Sequence, residues 1–558
     1  MSRTAPSDIP PRWWEPWAAA AIGLAVYLSL RGGKTLSPGY LDWLRENDPV
    51  THQLGWQFFR HSPWLQWPLG ANTGYGLELG SSIVFSDSIP LLAMVFKLLG
   101  PVLPQSFQYF GLWLAVCFSL QAFFGWKLLR RFTDDWLLAL LGCAFFAVAP
   151  VLLFRLKEGH LALVAQWLVL AALWLYFAPR LAKRGWLVLL LLGVWIHAYL
   201  LVMVWLVWVA DLVRRYLLRE HTWGALSGHF IACNLAIVLS MWAAGYFMLG
   251  SSVGAGGFGF YRTNLLALID PDQLWSRLLR AQPRGVGDYE GFAYPGVGML
   301  LLCVIAGVEL MRKRWQYERP GLAPLLVATV FLAVFAVSHR IGFGRSDLLV
   351  YPVPAVVQPI INALRVSGRF IWPMYYLLFL GVLCVVFTRV PRRAAAVLCA
   401  GLLVVQLADS ANGWSFLRAR LGKMPVWSSP MRDMAWDGLA GRYTKLILVR
   451  PGEASPNWMP IAEFAATHRM AVNTGYFARM RADVVAGLRE RYVGLVERNE
   501  FSADSLYIFE DERLWGIALS QLRPGDLAGS LDGFHIVAPG LRRCAECAFI
   551  ARIAQERR

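Results

Sequence analysis

The sequence predicts an all-α polytopic membrane domain followed by a C-terminal extracytoplasmic α/β domain, and three observations lead there. Hydrophobic residues make up 57% of the 558 and charged residues only 16%, with a mean hydropathy of +0.47; apolar runs recur at the length, roughly 18 residues or more, that a bilayer crossing needs. Short basic segments separate these runs. After about residue 410 the long apolar runs stop, and short strand-like segments alternate with helix-like ones.

The formal net charge of +17 raises nucleic acid as a partner. None of the motif classes of nucleic-acid binding is present, and in so apolar a chain basic loops facing the anionic cytoplasmic leaflet account for the charge. The expected partners are therefore membrane lipids and not nucleic acid.

The first apolar run, residues 13–30, opens with Trp13, Trp14 and Trp17 at interfacial positions and reads as a span; the RGGK that follows is no cleavage site for a signal peptide. Further runs lie near 107–129, 136–154, 160–178, 186–213, 230–249, 294–311, 321–337, 371–388 and 393–409. KLLRR (127–131), PRLAKR (179–184), RRYLLR (214–219), RKRWQYER (312–319) and TRVPRR (388–393) should all face the cytoplasm. Two adjustments reconcile them. The 83–99 segment, with Asp87, Pro90 and Lys97, is interfacial or re-entrant, and the run 186–213 is two short helices turning near His197-Ala198-Tyr199. About eleven transmembrane helices result, with the N-terminus inside and the C-terminus outside; if 83–99 crosses, the number is twelve.

This topology makes residues 1–410 the membrane domain, with large outer loops at 31–106, 250–293 and 338–370, and residues 411–558 an α/β domain outside. Its strand-like segments are KLILV (445–449), MAVNTGY (470–476), SLYIF (505–509) and FHIVAP (534–539), and 479–498 is helix-like. Cys544 and Cys547 form a CAEC that is either a disulfide in an oxidising compartment or a reduced pair; without a second CxxC it is no zinc site. No metal ligands are assigned.

The first outer loop carries Asp48, with His52 one helical turn on and Trp56 and Trp64 beyond. A carboxylate there suits a general base, while indoles stack on sugar rings and anchor a loop to the membrane surface; helix capping is the competing role for Asp48. Asp87 is a second acid at the mouth of an apolar segment, where a charge is costly unless used or paired. His160, beside Arg155 and Lys157 at the outer end of a span, is suited to a phosphate. The third loop gathers His339, Arg340, Arg345, Arg365 and Arg369 on the side that normally avoids cations. Arginine's planar fork matches phosphate oxygens, and pairing with acids of the other loops is the alternative. Gly254–Gly259 (GAGGFG) follows a span and not a strand, so it reads as a flexible lid; Asp270-Pro271-Asp272 reads as a turn.

In NDPVTHQLGWQFFR, SIVFSDSIPLLAMVFK, EGHLALVAQW and SGRFIWP the chain resembles the C-type (GT-C) superfamily of polytopic membrane glycosyltransferases, over approximately residues 13–410 and more loosely in the tail. The resemblance implies a GT-C-like fold in the bacterial inner membrane, with the C-terminal domain periplasmic. It also implies a polyprenyl-phosphate-linked sugar as donor and an envelope glycan, lipid or protein as acceptor. Asp48 matches the catalytic acid near the end of the first span. Asp87 matches a second acidic position used by some members for acceptor or metal binding, which leaves a divalent metal as an open cofactor. Breaking the donor bond leaves a more negatively charged phosphate, so Arg365, Arg369, His160 and Arg345 are the candidate donor-phosphate ligands. Asp48 would take the acceptor proton, giving inversion, and His52, Trp56 and Trp64 would contact sugar or acceptor. A non-catalytic lipid-linked glycan binding or transport protein and an envelope polysaccharide polymerase or ligase are the alternatives. The span interiors are nearly free of charge, which favours an outer-face enzyme over a carrier.

Overall fold

The structure is a computed structural model that describes residues 10–250, 256–312, 321–422, 426–452, 455–477 and 479–555. Most of RKRWQYER and the start of the glycine-rich 254–259 stretch lie outside the described residues. Two compact units are present, one of residues 1–43, 108–240 and 255–424, the other of residues 44–107, 241–254 and 425–558.

The first unit is helical. Among the described residues four helices are long and apolar enough to cross a membrane: Phe110–Leu129, Trp136–Glu158, Trp223–Ala244 and Ser367–Arg389. The pair Arg392–Asp409 and Ala411–Gly422, bent by 60°, makes up to five. Among the described residues, span-length helices thus stand at fewer places than the ten apolar runs of the sequence, and local chemistry ends some runs early. The 186–213 run breaks at His197, whose extended backbone (φ −166°, ψ 130°) ends helix Lys183–Ile196 and whose Nδ1 accepts the Tyr199 N–H (3.1 Å) to start Ala198–Leu217. That second helix reaches 20 residues, but its last turns carry Asp211, Arg214 and Arg215. Asp211 accepts from Trp186 Nε1 and Arg215 Nε (both 3.0 Å). Between helix Ala323–Val337 and Ser367–Arg389, β1 (Arg340–Phe343) and β2 (Ser346–Val350) form an antiparallel hairpin.

The second unit joins residues 44–107 and 241–254 to residues 425–558. Six strands, β3 (Lys445–Leu448), β4 (Ala471–Val472), β5 (Ser505–Phe509), β6 (Leu527–Leu531), β7 (Phe534–Ala538) and β8 (Ala554–Gln555), form one sheet in the order β4-β3-β5-β7-β6-β8. β3 runs parallel to β4 and β5; the other pairings are antiparallel. The β6–β7 hairpin turns on Asp532-Gly533, both at positive φ, as a tight two-residue turn requires. The four strand-like segments of the sequence all contain strands, and helix Ala482–Glu497 fills the helix-like stretch; β6 and β8 are additional.

The first loop completes this unit's core. Val50, Leu54, Phe58 and Tyr75 are buried together with Leu446, Ile461, Val472 and Phe477. Phe58 stacks on Tyr75 (centroids 4.9 Å, 11°), and Tyr75 meets Phe477 at 4.6 Å. The backbone joins as well, since Gly76 N–H donates to the Val472 carbonyl (2.8 Å) and Val472 N–H to that of Gly74 (2.9 Å). The 83–99 segment folds as a short turn, Ile83–Ser86, and the helix Pro90–Leu98. Nine residues make a helix of about 14 Å, less than half of a ~30 Å hydrocarbon core, so this helix does not cross.

Candidate functional site

Two groups of polar side chains, one in each unit, contain the residues the sequence singles out. In the first unit, Gly159 ends helix Pro150–Glu158 in the left-handed conformation (φ 83°) and turns the chain back, so that His160 N–H donates to the Arg155 carbonyl (3.0 Å). Arg155, fully buried, donates from Nη1 to His160 Nδ1 (3.1 Å) and to Glu290 Oε2 (2.5 Å). Arg369 reaches the same carboxylate with both arms of its fork, Nε to Oε2 at 3.0 Å and Nη2 to Oε1 at 2.7 Å. His160 Nε2 lies 4.0 Å from Oε1.

Glycines make this meeting possible. Arg369 stands on the turn Ser367–Ile371 and Glu290 on Val286–Gly291. A Cβ on Gly368 would lie 2.7 Å from the Gly291 Cα, so only two bare backbones fit where the turns cross. Burial alone would push the Glu290 carboxyl up, but the guanidiniums of Arg369 and Arg155, then His160, outweigh it and hold the carboxyl well below its ordinary 4.5. Two guanidiniums thus share the Glu290 carboxylate.

The remaining third-loop cations make other contacts. Arg345, exposed, sits in the β1–β2 turn; Arg340 pairs with Asp347 (2.6 Å), which also binds Arg262 (2.5 Å). Arg365 is half-buried, its aliphatic chain beside Gly257. A cleft of about 440 Å³ opens here, lined by Phe258, His339, Tyr351, Gln358 and Asn362 among others. His339 stacks on Phe258 (5.3 Å, 9°). Its imidazole is pushed down by burial and by Arg340 and Arg262, and so is neutral near pH 7. Asp270 and Asp272 form a turn, with Asp272 N–H donating to Asp270 Oδ1 (3.1 Å), and are engaged by Arg284 and Lys157. Among the described residues no three His, Cys, Asp or Glu side chains gather to hold a metal ion.

In the second unit Asp48 is half-buried at the first position of helix Asp48–Phe59, and the capping position falls on Asn47, in the left half of backbone space (φ 55°). His52 is buried, its Nδ1–H donating to the Ser86 carbonyl (2.8 Å), while Ser88 Oγ donates to the His52 carbonyl (2.8 Å). Gly55 permits this contact, because a Cβ there would lie 2.1 Å from Ser86 Oγ. The helix bearing Asp48 is therefore stitched to the turn bearing Asp87. That turn is strained, with Asp87 (φ 50°) and the β-branched Ile89 (φ 52°) both left-handed, the kind of backbone outlier that clusters at functional sites. Tyr246 lies near; burial and the Asp87 charge push its phenol up. Trp56 is fully buried, its indole N–H donating to the Phe107 carbonyl (3.2 Å), whereas Trp64 is 50% exposed. Sequence reasoning did not single out Glu290, whose only signal was the need of buried arginines for a counter-charge.

A set of span-length helices joined to a mixed-sheet domain defines the class, a multi-helix membrane protein with an α/β appendage. The chain belongs to the family described as Domain of unknown function (DUF6311), whose model matches residues 20–411; the DUF6311 C-terminal domain matches residues 435–539. Two solved structures are distantly similar. An oligosaccharyltransferase AglB from Archaeoglobus fulgidus, in complex with an inhibitory peptide and a dolichol-phosphate, is 11% identical over 94% of this chain and 75% of its own, with a TM-score of 0.39. An Archaeoglobus fulgidus oligosaccharyltransferase tethered with an acceptor peptide containing the NVT sequon is 11% identical over 94% and 74%, with a TM-score of 0.40. No curated protein matches.

Proposed function

We propose that this protein is a membrane glycosyltransferase that moves a sugar from a polyprenyl-phosphate donor to a cell-envelope glycan, lipid or protein on the outer face of the bacterial inner membrane. The buried cluster of Arg155, Glu290, Arg369 and His160 carries the reading. Two guanidiniums and an imidazole stand together there, and preorganised cationic donors in a water-poor site stabilise the charge that grows on a departing phosphate. Arg365, Arg345 and His160 add donors for the same phosphate.

Asp48 is the general base for the acceptor hydroxyl, with Asp87 on the adjoining turn and Trp64 as an exposed indole for sugar or acceptor. His52 and Trp56 act from beneath, fixing the helix that presents Asp48. A periplasmic setting for the C-terminal domain is supported by the disulfide between Cys544 and Cys547, a bond that persists in oxidising compartments.

The test uses the purified chain in lipid nanodiscs, a panel of polyprenyl-phosphate sugars and envelope acceptor fractions. Transfer from one donor is expected. Asp48→Asn should abolish transfer and spare donor binding, whereas Arg365→Gln should weaken both. Full turnover by Asp48→Asn overturns the mechanism, and donor binding without transfer to any acceptor identifies a carrier instead.

A further inference from the structure

We infer that the first outer loop carries an apolar wedge that seats in the outer leaflet of the bilayer, beside the end of helix Trp223–Ala244. The wedge consists of two elements. The loop after helix Asp48–Phe59 exposes Trp64 (50%), Leu65 (100%) and Trp67 (57%), and the short helix Pro90–Leu98 with the turn after it exposes Leu98 (65%) and Val102 (81%). Lys97 fastens one to the other, donating to Ser62 Oγ (2.6 Å) and the Pro63 carbonyl (3.0 Å) with its ammonium over the Phe59 ring (4.1 Å).

Exposed tryptophan and leucine alone do not name a partner; three further observations do. The wedge is continuous with a span, since Trp67 packs edge-on against Trp242 (5.0 Å) and Gly70 N–H donates to the Ala243 carbonyl (3.1 Å), both in the last turn of Trp223–Ala244. Only 17% of that helix's apolar window is buried inside the protein, so its environment is lipid, and what touches its end lies at the membrane boundary. Aromatic side chains concentrate at that depth.

The cations of the segment point away from the surface, moreover. Arg60 turns inward onto the carbonyls of Leu103, Pro104 and Gln105 (3.0–3.3 Å), and Lys97 is buried. A surface built to hold anionic headgroups would show these charges; here they are spent on backbone oxygens. The partner is therefore the acyl–glycerol zone of the leaflet, entered through burial of apolar area and without need of lipid charge. A helix too short to span, lying in the interface, fits that role.

The full chain carrying Leu65→Cys or, separately, Val102→Cys is labelled with an environment-sensitive fluorophore and placed in phosphatidylcholine nanodiscs; signal from the unsubstituted chain is subtracted. Arg498→Cys, on the exposed end of helix Ala482–Glu497, is the aqueous control. A spin-labelled lipid with its quencher high on the acyl chain should remove about half or more of the emission at positions 65 and 102 and leave position 498 bright. The quenching should persist when phosphatidylglycerol is added and when salt is raised. Quenching by aqueous iodide at 65 and 102 equal to that at 498 overturns the inference. So does shielding from both quenchers, which means a protein partner such as a second copy, and so does insertion that appears only with phosphatidylglycerol.

Discussion

Replacing Glu290 with glutamine tests whether the arginine cluster is held by its one carboxylate. The carboxylate accepts three charge-assisted bonds, from Arg155 (2.5 Å) and Arg369 (2.7 and 3.0 Å). The amide of Glu290→Gln keeps one oxygen and turns an NH₂ toward a guanidinium, so at least one bond is lost. The charge goes with it: Arg155 and Arg369, with side chains 0% and 10% exposed, lose the carboxylate they share. Removing one partner from a buried ion pair typically costs about 3–5 kcal/mol. Arg369→Gln should cost less, because Glu290 then stays paired one-to-one with Arg155, and the double variant should recover part of the loss. Thermal unfolding of the four proteins in one detergent, read as a double-mutant cycle, measures the coupling. The sign with pH follows from linkage. The folded Glu290 carboxyl lies well below its ordinary 4.5, so its contribution is complete above that value and is lost as pH falls through the folded value. The Glu290→Gln deficit should be full at neutral pH and narrow only in strong acid. A Glu290→Gln protein within about 0.5 kcal/mol of the parent, the size expected of an exposed pair, refutes the reasoning.

Gly55→Ala places a Cβ 2.1 Å from Ser86 Oγ and should destabilise by about 1–3 kcal/mol while lowering turnover. Gly74→Ala, which meets nothing closer than 3.5 Å, should be near neutral in both assays. Burial lowers the Lys97 ammonium from 10.5 to about 8. The unfolded chain then binds the proton more tightly across that window, so unfolding free energy should rise with pH between those values, with a flatter slope in Lys97→Met. A chain ending at residue 424 removes most of the core that covers Val50, Leu54, Phe58 and Tyr75. Limited proteolysis should then cut within 44–107 at sites the full chain protects; equal protection would show that the loop folds alone.

Much of the helical framework was legible because apolar runs and their breaks are local signals. The turn at His197 could be read because a 28-residue run exceeds one crossing, and β3, β5 and β7 because buried strands are short apolar runs between turn residues. The two-residue β8 is too brief to leave a pattern. Within the candidate site, the arginines stood out as cations gathered in one loop beside an apolar run, but Glu290 did not. A single glutamate in GDYEG is ordinary loop chemistry, and its pairing depends on glycines 77 residues apart meeting back to back. Trp56 and Trp64 look equivalent in sequence; only the helix and its neighbours decide that one is core and the other surface. Arg369 pairs with Glu290 and Arg340 with Asp347.

The shared core of the first loop and the C-terminal domain has a consequence in time. Residue 107 is followed by more than 300 residues before the partner segment begins at 425. At ~5–20 residues per second, a nascent chain carries the loop for roughly 15–65 s before the sheet that covers Phe58 and Tyr75 exists. Throughout that interval its apolar side chains await a partner not yet synthesised, so roughly the last quarter of the chain governs whether this early segment is sheltered or becomes a target for proteases and chaperones.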